Sequence, residues 1–238
     1  MATIPIAAHM EKLETDSELF TDVRKIIDEF QCEFIEHLEP LHHQTTRSRL
    51  LRLYEVWQQI HIRRLVDLAD SANKHFNKQR LVPGCILTRA LIESVAIQYY
   101  AYKKIVEHTN NNDPEPIHKL LIICVFGSRD KSSSETAIQV LTAIDHLDKE
   151  FKIFREVYDH LSEYAHPNLK GGFGSYVEQK ELLETNFGIN PAGLEMQNWG
   201  LGELHLVLLI ALEIHNRFFA FHPSFHKMAN QYAPDIPL

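Results

Sequence analysis

Tyr158, Ser162 and His166 recur at every fourth position in the segment Tyr158-Asp-His-Leu-Ser-Glu-Tyr-Ala-His-Pro-Asn168. At 3.6 residues per turn they share one stripe of a helix. A phenol, a hydroxyl and an imidazole so arranged could donate to an anion and move a proton near neutral pH. Phe154, Val157, Leu161 and Ala165 form the adjacent apolar stripe that can face a core. Pro167 disfavours α geometry at His166, so the helix is expected to end there with the imidazole at its terminus. In the plain version of this segment Tyr158 and Ser162 hydrogen-bond locally and His166 caps the helix end. In the chemical version His166 is a general acid or base, Tyr158 donates to an anion and Asn168 holds the loop. No Gly-rich elbow or third member accompanies Ser162, which argues against a serine hydrolase.

Arg89 and Glu93 form a second constellation, spaced i, i+4 in an otherwise apolar helical segment. A buried charge is costly unless paired. The two side chains therefore either hold bundle register as ion pairs or form a polar pocket, with Arg89 clamping a phosphate or carboxylate and Glu93 orienting it.

The elements that must position these residues are helical. Helix one is expected to start near Asp16 or Ser17, either of which can cap, to carry Leu19, Val23, Ile26, Phe30, Phe34 and Leu38, and to be closed by Pro40. The second and longest runs from about Thr46 to Lys78 with a stripe including Leu50, Leu53, Trp57, Ile60, Leu65 and Phe76. Pro83-Gly84 reads as the break after it, and the helix from Cys85 to about Val106 is apolar on nearly every side, as a central bundle helix would be. A short helix over 116–126 follows. Ser134 is the expected cap of the next, and the segment carrying Tyr158 spans about 152–165. Gly171-Gly-Phe-Gly174 opens an irregular or hairpin excursion near 171–198. A strong helix over 201–219 and a short one from Pro223 complete the chain. The expected architecture is a single all-α domain over 1–238, six to eight helices, with a 1–80 helical hairpin on an 83–232 bundle.

Composition supports that class. Of 238 residues 45% are hydrophobic, enough for a continuous core, and nine Gly and ten Pro are few for a chain of many tight turns. Cys32, Cys85 and Cys124 are scattered, odd in number and embedded in apolar patterns, which suggests reduced, buried thiols and a cytoplasmic location. The start, Met-Ala-Thr-Ile-Pro-Ile-Ala-Ala-His, lacks a secretion-signal pattern, and the longest apolar run, Leu206 to Leu212, is too short to cross a bilayer. No membrane partner is expected. The formal charge of −8 opposes indiscriminate nucleic-acid binding. Residues 1–40 are strongly acidic and residues 44–80 basic, which favours a charge-complementary hairpin over a phosphate-tracking basic helix.

Arg89-x-x-x-Glu93 in a buried helix, then Tyr158-x-x-Leu161-Ser162-x-x-x-His166-Pro167 before a Gly-rich exit, resembles a family of bacterial all-helical proteins. These in turn resemble the HEPN superfamily, the nucleotide-binding and ribonuclease bundles of toxin-antitoxin and abortive-infection systems. The resemblance covers Pro83 to Gly174 and rests on short motifs. It implies a cytoplasmic protein of stress or phage defence that binds RNA or a nucleotide, with a homodimer or another protein as further partners and no cofactor. The implied reaction is metal-independent RNA cleavage, in which the ribose 2′-hydroxyl attacks the adjacent phosphate, His166 moves the proton and Arg89 stabilises the phosphorane charge. Active members carry Arg and His four to six residues apart on one helix. This chain has no Arg there, so Arg89 or a second subunit would have to supply the cation; Arg155 is about 16 Å away along the axis. The competing reading is a non-catalytic interaction or regulatory module. A di-metal carboxylate bundle is a remoter third: Glu163-x-x-His166, Glu115-x-x-His118, Glu93 and Glu213 match its donors in type, but both pairs fall at helix ends.

Overall fold

The longest helices form where apolar residues recur over the longest stretches of chain. The computed structural model describes residues 16–39, 46–130, 132–181, 184–188 and 193–231. Helix α1 is Asp16–Cys32, α2 Thr46–Asn77, α3 Leu81–Asn110, α4 Pro114–Phe126, α5 Val140–Glu150 and α6 Phe154–Ala165. A π-type turn at Leu169–Phe173 leads through the single turn α7, Gly174–Tyr176, into an antiparallel hairpin of β1, Val177–Glu181, and β2, Glu184–Phe187; α8 spans Gly193–Gln231. The protein is all-α, and this hairpin is the only sheet among the described residues.

Helix α1 stops at Cys32, earlier than its apolar spacing predicts, and Phe34 N–H closes a final turn on the Gln31 carbonyl. The main chain of 33–35 is instead taken up by side chains of α2. Pro40 lies outside the described residues, as do the side chains of Asp16 and Ser17. Helix α2 keeps its expected bounds, but Ile60 is turned to solvent while Tyr54 and Ile62 are buried.

Pro83-Gly84 does not break the chain. Both residues lie in the first turn of α3, where a proline removes no needed donor. The break comes at Gln79, whose φ of 56° reverses the chain. Gly84 is required by packing, since a Cβ there would lie 2.5 Å from the Phe76 ring. Gly200 on α8 meets the same ring at 2.6 Å. Gln197 Nε2 also donates to the Phe76 carbonyl, which already accepts from Gln79 N–H at 2.9 Å.

Ser134 caps no helix. Ser128, Asp130 and Ser132 form a hydrogen-bonded loop, and α5 begins only at Val140. Pro223 sits inside α8 rather than at the start of a separate helix, because Phe225, Met228 and Ala229 continue the buried stripe past it.

The chain divides into two compact units. The first comprises the described residues within 1–30, 66–92 and 153–210, and the second those within 31–65, 93–152 and 211–238. In the first, Val23, Ile27 and Phe30 of α1 are buried along with Phe76, Leu91, Phe154, Leu161 and Leu204. Arg24 of α1 pairs with Asp70 of α2 at 2.9 Å, the reverse of the polarity that the overall charges of those segments suggest. In the second, Leu50, Tyr54, Trp57, Ile105, Phe218 and Phe225 belong to one core cluster, with Tyr54 stacked on Phe225 at 4.2 Å. Its polar counterpart is Glu150, which accepts from Tyr99 and Arg217.

By length and composition, α3 and the part of α8 from Glu195 onward could each cross a membrane. The helices are interrupted too often for one unbroken apolar run, and 56% and 50% of their most apolar windows are buried within the protein. Core helices of a bundle meet the same criterion.

Candidate functional site

Helix α6 forms because its apolar stripe can be buried: Phe154, Val157, Leu161 and Tyr164 all are. It begins after Ile153, in a left-handed conformation at φ 86°, and ends at His166, whose φ of −100° and ψ of 144° are the extended geometry imposed by Pro167. Its polar stripe meets α3 within the first unit. Arg89 Nη2 donates to the Tyr158 hydroxyl at 2.8 Å, and the guanidinium carbon lies 5.0 Å from the centre of the Tyr158 ring. Hydrogen bonding and cation–π attraction thus bring together two motifs 69 residues apart. Ser162 Oγ donates back to the Tyr158 carbonyl at 2.7 Å, a local bond typical of a helical serine.

His166 is exposed, and among the described residues no hydrogen bond or ion pair joins it to Arg89. The helix directions account for this. Arg89 meets Tyr158, whereas the hydroxyl of Tyr164, later on α6, is raised chiefly by burial and further by Cys85, one turn earlier on α3. The two helices therefore run antiparallel. Progress along α6 from Tyr158 to His166, about 12 Å for eight residues, leads toward the start of α3 and away from Arg89. Arg155 is occupied with Asp159 at 3.1 Å on the surface. Glu93 is half-buried one turn beyond Arg89, where the second unit begins.

Asn168 organises the turn after α6. Its Oδ1 accepts from the N–H groups of Lys170 and Gly171, both at 3.0 Å, and its Nδ2 donates to Glu163 Oε2 at 2.7 Å. One carboxylate of the di-metal pattern is therefore engaged in holding the loop. Among the described residues no three His, Cys, Asp or Glu side chains are arranged to hold a metal ion.

A different face of α6 carries a cluster that spacing alone did not single out. His160 lies 4.4 Å from Trp199 of α8, and Tyr164 stacks on the same indole at 5.7 Å. Glu203, one turn after Trp199, has an Oε2 that is buried with no hydrogen-bond partner among the described residues. Burial pushes this carboxyl up to about 7, helped by the nearby Glu156 and opposed by the Trp199 indole N–H. Burial likewise raises the Cys85 thiol, with Glu203 adding to it, and lowers His160, to which Lys170 also contributes. The available signal was the i, i+4 recurrence of His160 with Tyr164 and of Trp199 with Glu203, which is indistinguishable in sequence from ordinary core spacing.

No protein-family model, no curated protein and no solved structure matches the chain.

Proposed function

We propose that the chain is a HEPN-like cytoplasmic protein that binds RNA or a nucleotide at Arg89 and Tyr158, in a stress- or phage-defence setting. The observation that carries the reading is the 2.8 Å bond from Arg89 to Tyr158, since it joins the two motifs on which the resemblance rests. A guanidinium can donate to a phosphate oxygen, and its planar fork suits that geometry better than an ammonium would. His166, exposed at the end of the same helix, is the residue available to move a proton if the bound RNA is cleaved.

The non-catalytic version is favoured by the offset of about 12 Å between the Tyr158 and His166 positions along α6. A single phosphate does not span it. Cleavage at His166 would need a strand extended along the helix or a cation from a second subunit.

The two versions separate by measuring binding of a short single-stranded RNA and of ATP by fluorescence anisotropy, and RNA cleavage, for wild type, Arg89→Ala and His166→Ala. Binding is expected to weaken about ten-fold in Arg89→Ala and to remain in His166→Ala. Cleavage lost in both variants with the fold retained identifies a ribonuclease. Equal residual cleavage in all three identifies a contaminant and leaves the binding module. If wild type binds neither ligand, the reading is wrong.

A further inference from the structure

Gln59 of α2 uses both ends of its carboxamide on main chain: Oε1 accepts from Ile35 N–H at 2.9 Å and Nε2 donates to the Glu33 carbonyl at 3.0 Å. Arg63, one turn on, donates to the Ile35 carbonyl at 2.9 Å and lies 4.4 Å from the centre of the Phe34 ring. The non-helical segment after α1 is thereby fixed to α2, and together with residues of α2, α3 and α8 in the second unit it bounds a cavity of about 310 Å³. That volume is at the lower end of the range of small-molecule sites.

The lining defines the ligand chemistry. Phe34, Ile62 and Phe218 provide an apolar wall, and Gln98, His215 and His222 are polar. Among the described residues no Lys or Arg lines the cavity, so nothing there would neutralise an anion. Gln98 is only 6% exposed, and its Oε1 has no hydrogen-bond partner among the described residues. The Gln98 side chain favours the charged form of its neighbour His61, but by distance and angle the two make no hydrogen bond, and His61 Nε2 is also left without one among the described residues. Burial holds His61 neutral, with its pKa lowered to about 4. Two adjacent buried polar atoms in want of partners are costly. A water would satisfy them but would take only about 30 Å³.

We propose that this cavity binds a small uncharged aromatic molecule carrying an N–H or O–H donor, its ring against Phe34, Ile62 and Phe218 and its donor on Gln98 Oε1. The ring displaces water from the apolar wall, and the donor supplies the hydrogen bond the carboxamide lacks.

Indole and 1-methylindole test this directly, since they share a ring system and differ in the N–H. Binding is read by isothermal titration calorimetry, with circular dichroism as the check on folding. Wild type is expected to bind indole about ten-fold more tightly than 1-methylindole. Gln98→Leu should remove that preference by weakening indole alone. Phe219→Ala changes a lining side chain that is 71% exposed, so folding is not at risk, and should weaken both compounds alike. The proposal is overturned if neither compound binds wild type at about 1 mM. It is equally overturned if wild type binds both equally, or if Gln98→Leu keeps the preference.

Discussion

Replacing Glu203 by Gln should stabilise the protein in alkaline solution and do little in acid. Burial on α8 lifts this carboxyl from 4.5 to about 7, and its Oε2 has no hydrogen-bond partner among the described residues. A group whose folded-state pKa is raised contributes stability that is fully present below its unfolded value and is lost as the pH climbs through the folded one. Here that window runs from 4.5 to about 7. At about 1.4 kcal/mol per pH unit the interval corresponds to about 3 kcal/mol, and incomplete burial brings the expectation nearer 2 kcal/mol. The carboxamide of the variant would keep an acceptor for the Trp199 indole N–H and would end the repulsion with Glu156. The assay is urea unfolding of both proteins, followed by circular dichroism, near pH 5 and near pH 8.5. Subtracting one protein from the other cancels the remaining titrating groups, His160 among them. The stability difference should grow with pH in favour of the variant. A difference that is flat across the range, or that shrinks as pH rises, refutes the assignment of a near-neutral carboxyl.

Three further outcomes are expected from the packing and the site. Gly200→Ala should destabilise by about 1–3 kcal/mol in thermal unfolding because its methyl would press on the Phe76 ring, and Phe76→Leu in the same chain should recover part of that loss. Tyr158→Phe removes the acceptor of the Arg89 hydrogen bond while keeping the ring, so it should cost about 1 kcal/mol in urea unfolding; an unchanged midpoint would mean the bond contributes nothing. Native protein treated with iodoacetamide near pH 7.5 should be alkylated at Cys32 alone by mass spectrometry, since Cys85 is buried and burial pushes the Cys124 thiol up to about 12.

Local pattern was most legible where one helix face is buried along its whole length. The expected Thr46–Lys78 helix is the observed Thr46–Asn77 almost to the residue, and the excursion expected over 171–198 is a π-type turn and hairpin that gives way to α8 already at Gly193, ahead of the expected start near Leu201. Punctuation misled where tertiary contacts overrule it. Pro83-Gly84 looks like a stop, but Gly84 serves the approach of α3 to Phe76, and Pro223 is carried through by the buried residues after it. In the candidate site, an Arg on an apolar helix and a Tyr on a polar stripe suggested a shared pocket, and Arg89 does reach Tyr158. What spacing cannot tell is helix direction, and the antiparallel run of α3 and α6 decides which end of the stripe Arg89 reaches. The Glu203 cluster was hidden for a related reason: its carboxyl is ordinary in sequence and becomes unusual only through what surrounds it.

The latch at Gln59 is built entirely from uncharged partners, one amide gripping main-chain groups on both sides of Phe34. Such a grip has no proton to lose and no ionic atmosphere to be weakened by, so salt and acidity leave it alone. Glutamate could accept from Ile35 N–H but, when ionised, could not donate to the Glu33 carbonyl. Opening of that wall is thus governed by this carboxamide together with Arg63, and deamidation of Gln59 would undo one of the two bonds it makes.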